Sequence, residues 1–386
     1  VAKTTPVISR GRFARVAGLL VGLVVGAGLV AGSWLPGALD AATVRVPLRV
    51  ANSALPRTTV SWPQQGQAAV AVPALAEKLW SPSEQPVPIA SLTKMMTIAV
   101  ALSIDPVSTT NSGPCWVVSD DDVATYLADQ STDQSSVKVV AGESLCESQL
   151  IGGMIVHSAS NYAEMLVELV GLTETQFVAR MNALAQSWGL TQTHYADVTG
   201  FDPASVSTAK DQVTVALHLY RNDLVAQLAA SNEIDLPVAG EVHSYTPLVD
   251  VGGVIGLKSG FTDAAGGCDA LVLRDRVHGT NFLAFAVVLG QRGPNDLASA
   301  GARGDALAHQ ALGQIVGASV RRGQPSGQIG WTGATVPLVV KATTGPLSWY
   351  SSRHATTQVW VLVHHRVLTH WRDAPGRAPS QWGSQL

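Results

Sequence analysis

The sequence predicts an α+β domain built on an antiparallel sheet whose strands come from both ends of the domain. Three observations predict it. Short β-branched runs open the domain between Thr58 and Trp80. Apolar segments of helical period fill its middle, from Pro88 to about Leu228. A close-spaced set of apolar strands and one Ala-rich helix close it, between Val254 and Val316. Strands gathered at the ends, with helices between, suit helices laid on the faces of a sheet rather than an alternating parallel fold.

Composition narrows the function classes. The chain has 386 residues and a net charge of −3, with 14% charged residues. That length holds two or three domains and a sizeable core. No basic patch with interleaved aromatics is present, so no nucleic-acid partner is expected. The ten histidines are dispersed and no His-Glu-x-x-His pattern occurs, so neither a metal nor another cofactor is expected. Three cysteines make no disulfide framework. Outside a membrane Cys115 and Cys146 are candidates for pairing, which leaves Cys268 free.

Residues 1–15 are basic, with Lys3, Arg10, Arg12 and Arg15. Residues 16–39 carry no charge and are rich in Leu, Val, Gly and Ala. The stretch is long enough to span a bilayer, and its N-terminal basic flank predicts an N-terminus held in the cytoplasm. A cleaved signal peptide is the alternative, with small-residue sites around Ala31 or Ala38 to Ala42. The apolar part is long for a signal, which favours a single-pass transmembrane anchor in the cell membrane. In both cases the rest of the chain lies outside the cytoplasm. Residues 40–56 read as a linker, 57–320 as the main domain, and 321–386 as a separate C-terminal region.

Within the main domain, Thr58–Trp62 and Gln67–Val72 read as a strand pair, with a short third strand at Glu77–Trp80. An apolar helix follows Pro88 and runs to about Ile104. Strands are expected at Cys115–Val118 and Val137–Val140, and polar loops at Asp105–Pro114 and Ser131–Ser136. Helices are expected at Glu147–Val156, Tyr162–Val170, Thr175–Trp188 and Ala209–Leu228. Val254–Lys258, Asp269–Leu273 and Phe282–Leu289 read as strands at hairpin spacing, and Leu297–Val316 as a helix of good helix formers. The C-terminal region reads as a small β appendage holding five of the ten tryptophans. These rings suit a small core that needs large apolar side chains, or alternatively a surface for glycan or membrane.

Three short stretches carry the chemistry. The first is Ile89-Ala90-Ser91-Leu92-Thr93-Lys94-Met95. One helical turn separates Ser91 from Lys94, so their side chains point the same way. A lysine kept from water loses proton affinity, and the neutral amine can take a hydroxyl proton to make serine a nucleophile without histidine. Alone, the pattern also fits an N-cap serine beside a snorkelling lysine, and Ser-x-x-Lys recurs at Ser135–Lys138 and Ser207–Lys210. The second stretch is His157-Ser158-Ala159-Ser160-Asn161, between two helices, where Ser158 can relay a proton and Ser160 or Asn161 can donate to a substrate carbonyl. The third, Gly256-Leu257-Lys258-Ser259-Gly260-Phe261-Thr262-Asp263, ends a strand. Its lysine and hydroxyl suit a carboxylate, and Gly260 leaves room for a substrate backbone along the strand edge.

This trio, in this order, resembles the serine D-alanyl-D-alanine carboxypeptidases, the low-molecular-mass penicillin-binding proteins, and most nearly their membrane-anchored actinobacterial branch. Gly142-Glu143-Ser144-Leu145, Phe177-Val178 with Met181-Asn182, and Ser207-Thr208-Ala209 are similar to further landmarks of that family. The resemblance covers about Thr58 to Val320 and implies a serine β-lactamase/transpeptidase-like fold. It implies that Ser91 attacks the penultimate D-alanine of a peptidoglycan stem peptide, with Lys94 as base and Ser158 assisting the leaving group. Lys258 and Ser259 would bind the terminal carboxylate, and the N–H groups of Ser91 and Phe261 would form an oxyanion hole. β-Lactams would be covalent inhibitors. One position departs from the family: Ser160 stands where it has Asn, and Asn161 comes one residue late. A catalytically silent peptidoglycan-binding protein or a β-lactamase-like hydrolase are the competing expectations.

Overall fold

The computed structural model describes residues 60–320, apart from Ala76, Ser83 and His278, together with five strands between Pro325 and Trp371. The expected membrane stretch 16–39, its basic flank and the linker lie outside the described residues.

β1 (Gln67–Val72) and β2 (Glu77–Trp80) form an antiparallel pair. β3 (Val87–Pro88) leads through a 3-10 turn, Ala90–Leu92, into α1 (Thr93–Ile104). α1 buries every residue from Thr93 to Ala101, so it is enclosed on all sides. β4 (Cys115–Val117) and β5 (Ser144–Cys146) pair, with α2 (Asp120–Ser131) between them in the chain. A disulfide joins Cys115 to Cys146, which face each other across the pair; Cys268 is free and buried. α3 (Glu147–Val156), α4 (Ser160–Leu169) and α5 (Glu174–Ser187) follow. β6 (Val206–Ser207) pairs with β3 and precedes α6 (Ala209–Leu219) and α7 (Asp223–Ala229). β7 (Glu233–Leu236) and β8 (Gly240–His243) form a hairpin. A meander of β9 (Val254–Thr262), β10 (Gly266–Val277) and β11 (Thr280–Gln291) leads to α8 (Asp296–Gly313) and β12 (Ile315–Val320).

The central sheet has the order β2-β1-β11-β10-β9 and is antiparallel throughout. Strands from both ends of the domain meet at β1 and β11, as the sequence predicts. Both faces of this sheet are buried. Val70, Leu271, Leu273, Ala286 and Val288 pack with Leu307, Ala308, Ala311 and Leu312 of α8. Ala69, Ala71, Leu257, Val272, Phe285 and Val287 belong to the larger core formed by α1 and α3–α6. α1 is therefore the central post of the helical layer, and β9 is the sheet edge beside its N-terminus.

Several local expectations are corrected. Residues 60–62 form no strand, because β1 already has β2 on one edge and β11 on the other. Val137–Val140 is coil: the Asn161 side chain bonds both the N–H and the C=O of Val137 and replaces a ladder there. The expected single helix Ala209–Leu228 is two, broken where Asn222 accepts from Val225 N–H as an N-cap. Thr208 caps α6 by accepting from Asp211 N–H. α2 was not expected, yet Ser119 and Asp122 form a capping box that begins it. The β7–β8 hairpin was also not expected.

Beyond residue 320 the described residues are strands. Pro325–Trp331 pairs with Ala334–Val339, and Val359–Val363 with Arg366–Trp371, each antiparallel. The tryptophan side chains of this region lie outside the described residues.

Candidate active site

The Ser91 turn is shaped by what presses on it. Ala90 has φ +47, a left-handed conformation that only its surroundings can hold. Gly200 packs on its carbonyl so closely that a Cβ there would fall 1.8 Å from Ala90 O. On the other side a Cβ at Gly260 would lie 2.7 Å from Ser91 N. Glycine at 260 thus lets edge strand β9 lie directly against the backbone that carries the serine.

Lys94 is 1% exposed, and its Nζ has three partners. Ser91 Oγ is at 3.0 Å, Ser160 Oγ at 3.1 Å and the Thr199 carbonyl at 2.9 Å. A neutral amine has two N–H donors and one lone pair. Donation to Thr199 and Ser160 leaves the lone pair for the Ser91 hydroxyl. Burial lowers the Lys94 pKa to about 8, against the opposing charges of Asp197, Asp129 and Glu164.

Lys258 projects from β9 and is fully buried. Its Nζ donates to Ser158 Oγ at 2.9 Å and to the Ser259 carbonyl at 2.6 Å. Burial lowers its pKa, the charge of Lys94 lowers it further, and Asp269 opposes this. Ser158 is 4% exposed and takes φ +61 between the end of α3 and the start of α4. Ser259 is buried beside Lys258, and Phe261 is 47% exposed at the end of the same strand.

The three stretches named from sequence therefore converge. Ser91, Lys94 and Ser160 form one hydrogen-bonded group, and Ser158 with Lys258 forms a second. Asn161 is not brought in. It is 1% exposed and its amide is committed to Val137, with Oδ1 accepting at 3.0 Å and Nδ2 donating at 2.8 Å. The hydroxyl of Ser160, not the displaced amide, meets the lysine.

Sequence reasoning missed the loop from Asp197 to Phe201. Asp197 Oδ2 accepts from the N–H groups of Gly200 (2.7 Å) and Phe201 (2.9 Å) and from Thr199 Oγ1 (2.6 Å). This Asp-turn aims the Thr199 carbonyl at Lys94. Its available signal was Asp197-Val198-Thr199-Gly200, a turn-forming run with Gly at a φ of +83. A cavity of about 480 Å³ opens beside it, lined by Glu164, Glu174, Asp197, Thr199, Phe201 and Asp202 among others.

A half-buried serine bonded to a buried lysine at the start of a central helix, faced by an edge strand bearing a second lysine, defines the penicillin-binding class of active-site serine folds. The Streptomyces K15 DD-transpeptidase superposes with a TM-score of 0.57 at 17% identity, over 66% of this chain and 98% of that one. A penicillin-binding protein homologue from Mycobacterium tuberculosis gives 0.54 at 23% identity, over 66% and 94%. The family model for D-alanyl-D-alanine carboxypeptidases matches residues 67–293, and the chain belongs to that family of serine peptidases. D-alanyl-D-alanine carboxypeptidase DacB2 of M. tuberculosis is 32% identical over 150 residues, 37% of this chain and 51% of that protein. D-alanyl-D-alanine carboxypeptidase DacF of Bacillus subtilis is 24% identical over 213 residues, 54% and 52%. The matched stretch thus spans about half the length of these two relatives.

Proposed function

We propose that this chain is a serine D,D-carboxypeptidase that removes the terminal D-alanine from peptidoglycan stem peptides. The observation that carries the reading is Lys94: buried, with a pKa lowered to about 8, and 3.0 Å from Ser91 Oγ. Neutral Lys94 takes the Ser91 proton as Oγ attacks the carbonyl of the penultimate D-alanine. The N–H groups of Ser91 and Phe261 stabilise the oxyanion. As the C–N bond breaks, Ser158, polarised by Lys258, relays to the leaving amine the proton that Lys94 took from Ser91, while Lys258 and Ser259 hold its carboxylate. Water then hydrolyses the acyl-enzyme at Ser91. A β-lactam opens on the same serine and stays attached, which blocks turnover. Ser160 fills the place of the family's Asn by holding Lys94.

The unbroken apolar stretch 16–39 behind a basic flank supports attachment to the cell membrane with this domain outside, and the Cys115–Cys146 disulfide fits an oxidising compartment. D-alanine release from a peptide ending in D-Ala-D-Ala tests the activity. The parent should release one D-alanine per peptide and the Ser91→Ala variant none. Equal release by both would end this reading.

A further inference from the structure

The cavity beside Thr199 has acidic walls that the proposed reaction does not use. Glu164 reaches it from α4, Glu174 opens α5, and Asp197 and Asp202 belong to the loop. No lysine, arginine or histidine is among its lining residues. Asp197 is committed to the N–H groups of its own turn, and Asp202 accepts from Ala204 N–H at 2.8 Å. The carboxylates of Glu164 and Glu174 have no hydrogen-bond or ion-pair partner among the described residues. Burial and the charges of Asp129 and Glu174 push Glu164 up to about 7. Asp129 of α2 is only 3% exposed and its Oδ2 has no partner, so the acidic group continues inward from the wall. Lys94 is the cation whose charge acts on Asp129 and Glu164, and it is neutral when it serves as base. The cavity therefore holds negative charge that the chain leaves unbalanced at the moment of reaction.

The arrangement suits an organic cation rather than a metal ion. No three of these carboxylates bring oxygens within 4.8 Å of one another. An ammonium on a flexible stem needs no such convergence, because its N–H groups rotate to meet separate carboxylates. Phe201, 50% exposed, adds an aromatic face to the wall, which suits the aliphatic stem and the charge of such a side chain. Place along the substrate follows from the two lysines. Lys258 and Ser158 receive the leaving D-alanine, so the acyl portion extends from Ser91 away from β9. Thr199, whose carbonyl is two hydrogen bonds from Ser91 Oγ through Lys94, lies on that side and lines the cavity. The penultimate D-alanine offers only a methyl group. The residue before it is the first with a side chain long enough to enter.

Resting on the carboxypeptidase reading, we propose that this cavity is the subsite for the residue preceding the D-alanine pair, that it takes a side chain ending in an ammonium group, and that Glu164 and Glu174 select it. Sequence gives no sign of the pair, because each sits on its own helix and reads as an ordinary solvated glutamate.

The test is calorimetric binding of two peptides to the full chain carrying Ser91→Ala, which forms no acyl-enzyme. One is α-N-acetyl-lysyl-D-Ala-D-Ala, and the other has the lysine amine acetylated as well, which removes its charge. The first should bind at least about tenfold more tightly, and the advantage should shrink at high salt. Adding Glu164→Gln and Glu174→Gln should abolish the difference while the doubly acetylated peptide binds as before, which also shows that the variant is folded. Equal affinities in Ser91→Ala, no saturable binding of either peptide, or a preference that survives both glutamines would overturn the subsite. Release of D-alanine from the doubly acetylated peptide by the parent is read separately. It tests the carboxypeptidase reading without calling on the cavity's charge, so the two can fail independently.

Discussion

At the scale of single residues, Lys94 determines the chemistry. Its pKa is lowered to about 8 by burial, so the fraction that can act as base grows as pH rises through that value. The rate of acylation by a β-lactam should therefore climb between about pH 6 and 9 and level off above it. A flat profile would show that Lys94 is not the titrating base. Ser160 supplies one of the three partners of the lysine, and Ser160→Ala removes it. The loss of a hydrogen bond to a charged or charging group costs about 1.5–3 kcal/mol, which should slow acylation about tenfold to a hundredfold. Parent-like acylation by the variant would mean that the hydroxyl does not orient the amine. Ser91, Lys94 and Lys258 were legible in the sequence because a three-residue spacing, kept across the 3-10 turn into α1, and glycine on a strand already dictate their directions. The choice between Ser160 and Asn161 was not. Adjacent helical residues point about 100° apart, so only one of them can face the cleft. Which one does is decided by Val137, whose backbone captures the Asn161 amide from outside the helix.

At the scale of elements, the site depends on β9 lying against the Ser91 turn. Gly260→Ala would place a methyl 2.7 Å from Ser91 N, so strand and turn must part. The variant should keep its far-ultraviolet circular dichroism and lose most of its β-lactam acylation. Full acylation would mean that the close approach is not needed. The meander and its following helix were legible because long β-branched and Ala-rich runs leave little ambiguity. α2 was obscured by its own composition: its mean surface is polar, and only the Ser119–Asp122 box announced it. The loop from Asp197 to Phe201 was missed for a related reason. Its role comes from Asp197 gathering successive N–H groups, and no periodicity reports that.

At the scale of the whole molecule, the fold class followed from where strands and helices fall along the chain. The detailed pairing did not, because β1 finds its partner β11 more than 200 residues away. The same scale holds the proposal of membrane attachment by residues 16–39. The full chain should sediment with membranes and be released by detergent but not by high salt, since burial of some twenty apolar residues is not screened by ions. Release by salt alone would contradict an integral anchor. The C-terminal strand pairs lie beyond the matched family region, and the proposed reaction calls on none of their residues.

The central claim is that Ser91 is a nucleophile activated by Lys94. The most direct measurement is labelling of the full chain with a fluorescent penicillin beside its Ser91→Ala variant, followed by mass spectrometry of the labelled peptide. The account predicts one label per chain, on Ser91, and none on the variant. A folded parent that takes no label, or a variant that labels as well as the parent, would contradict it.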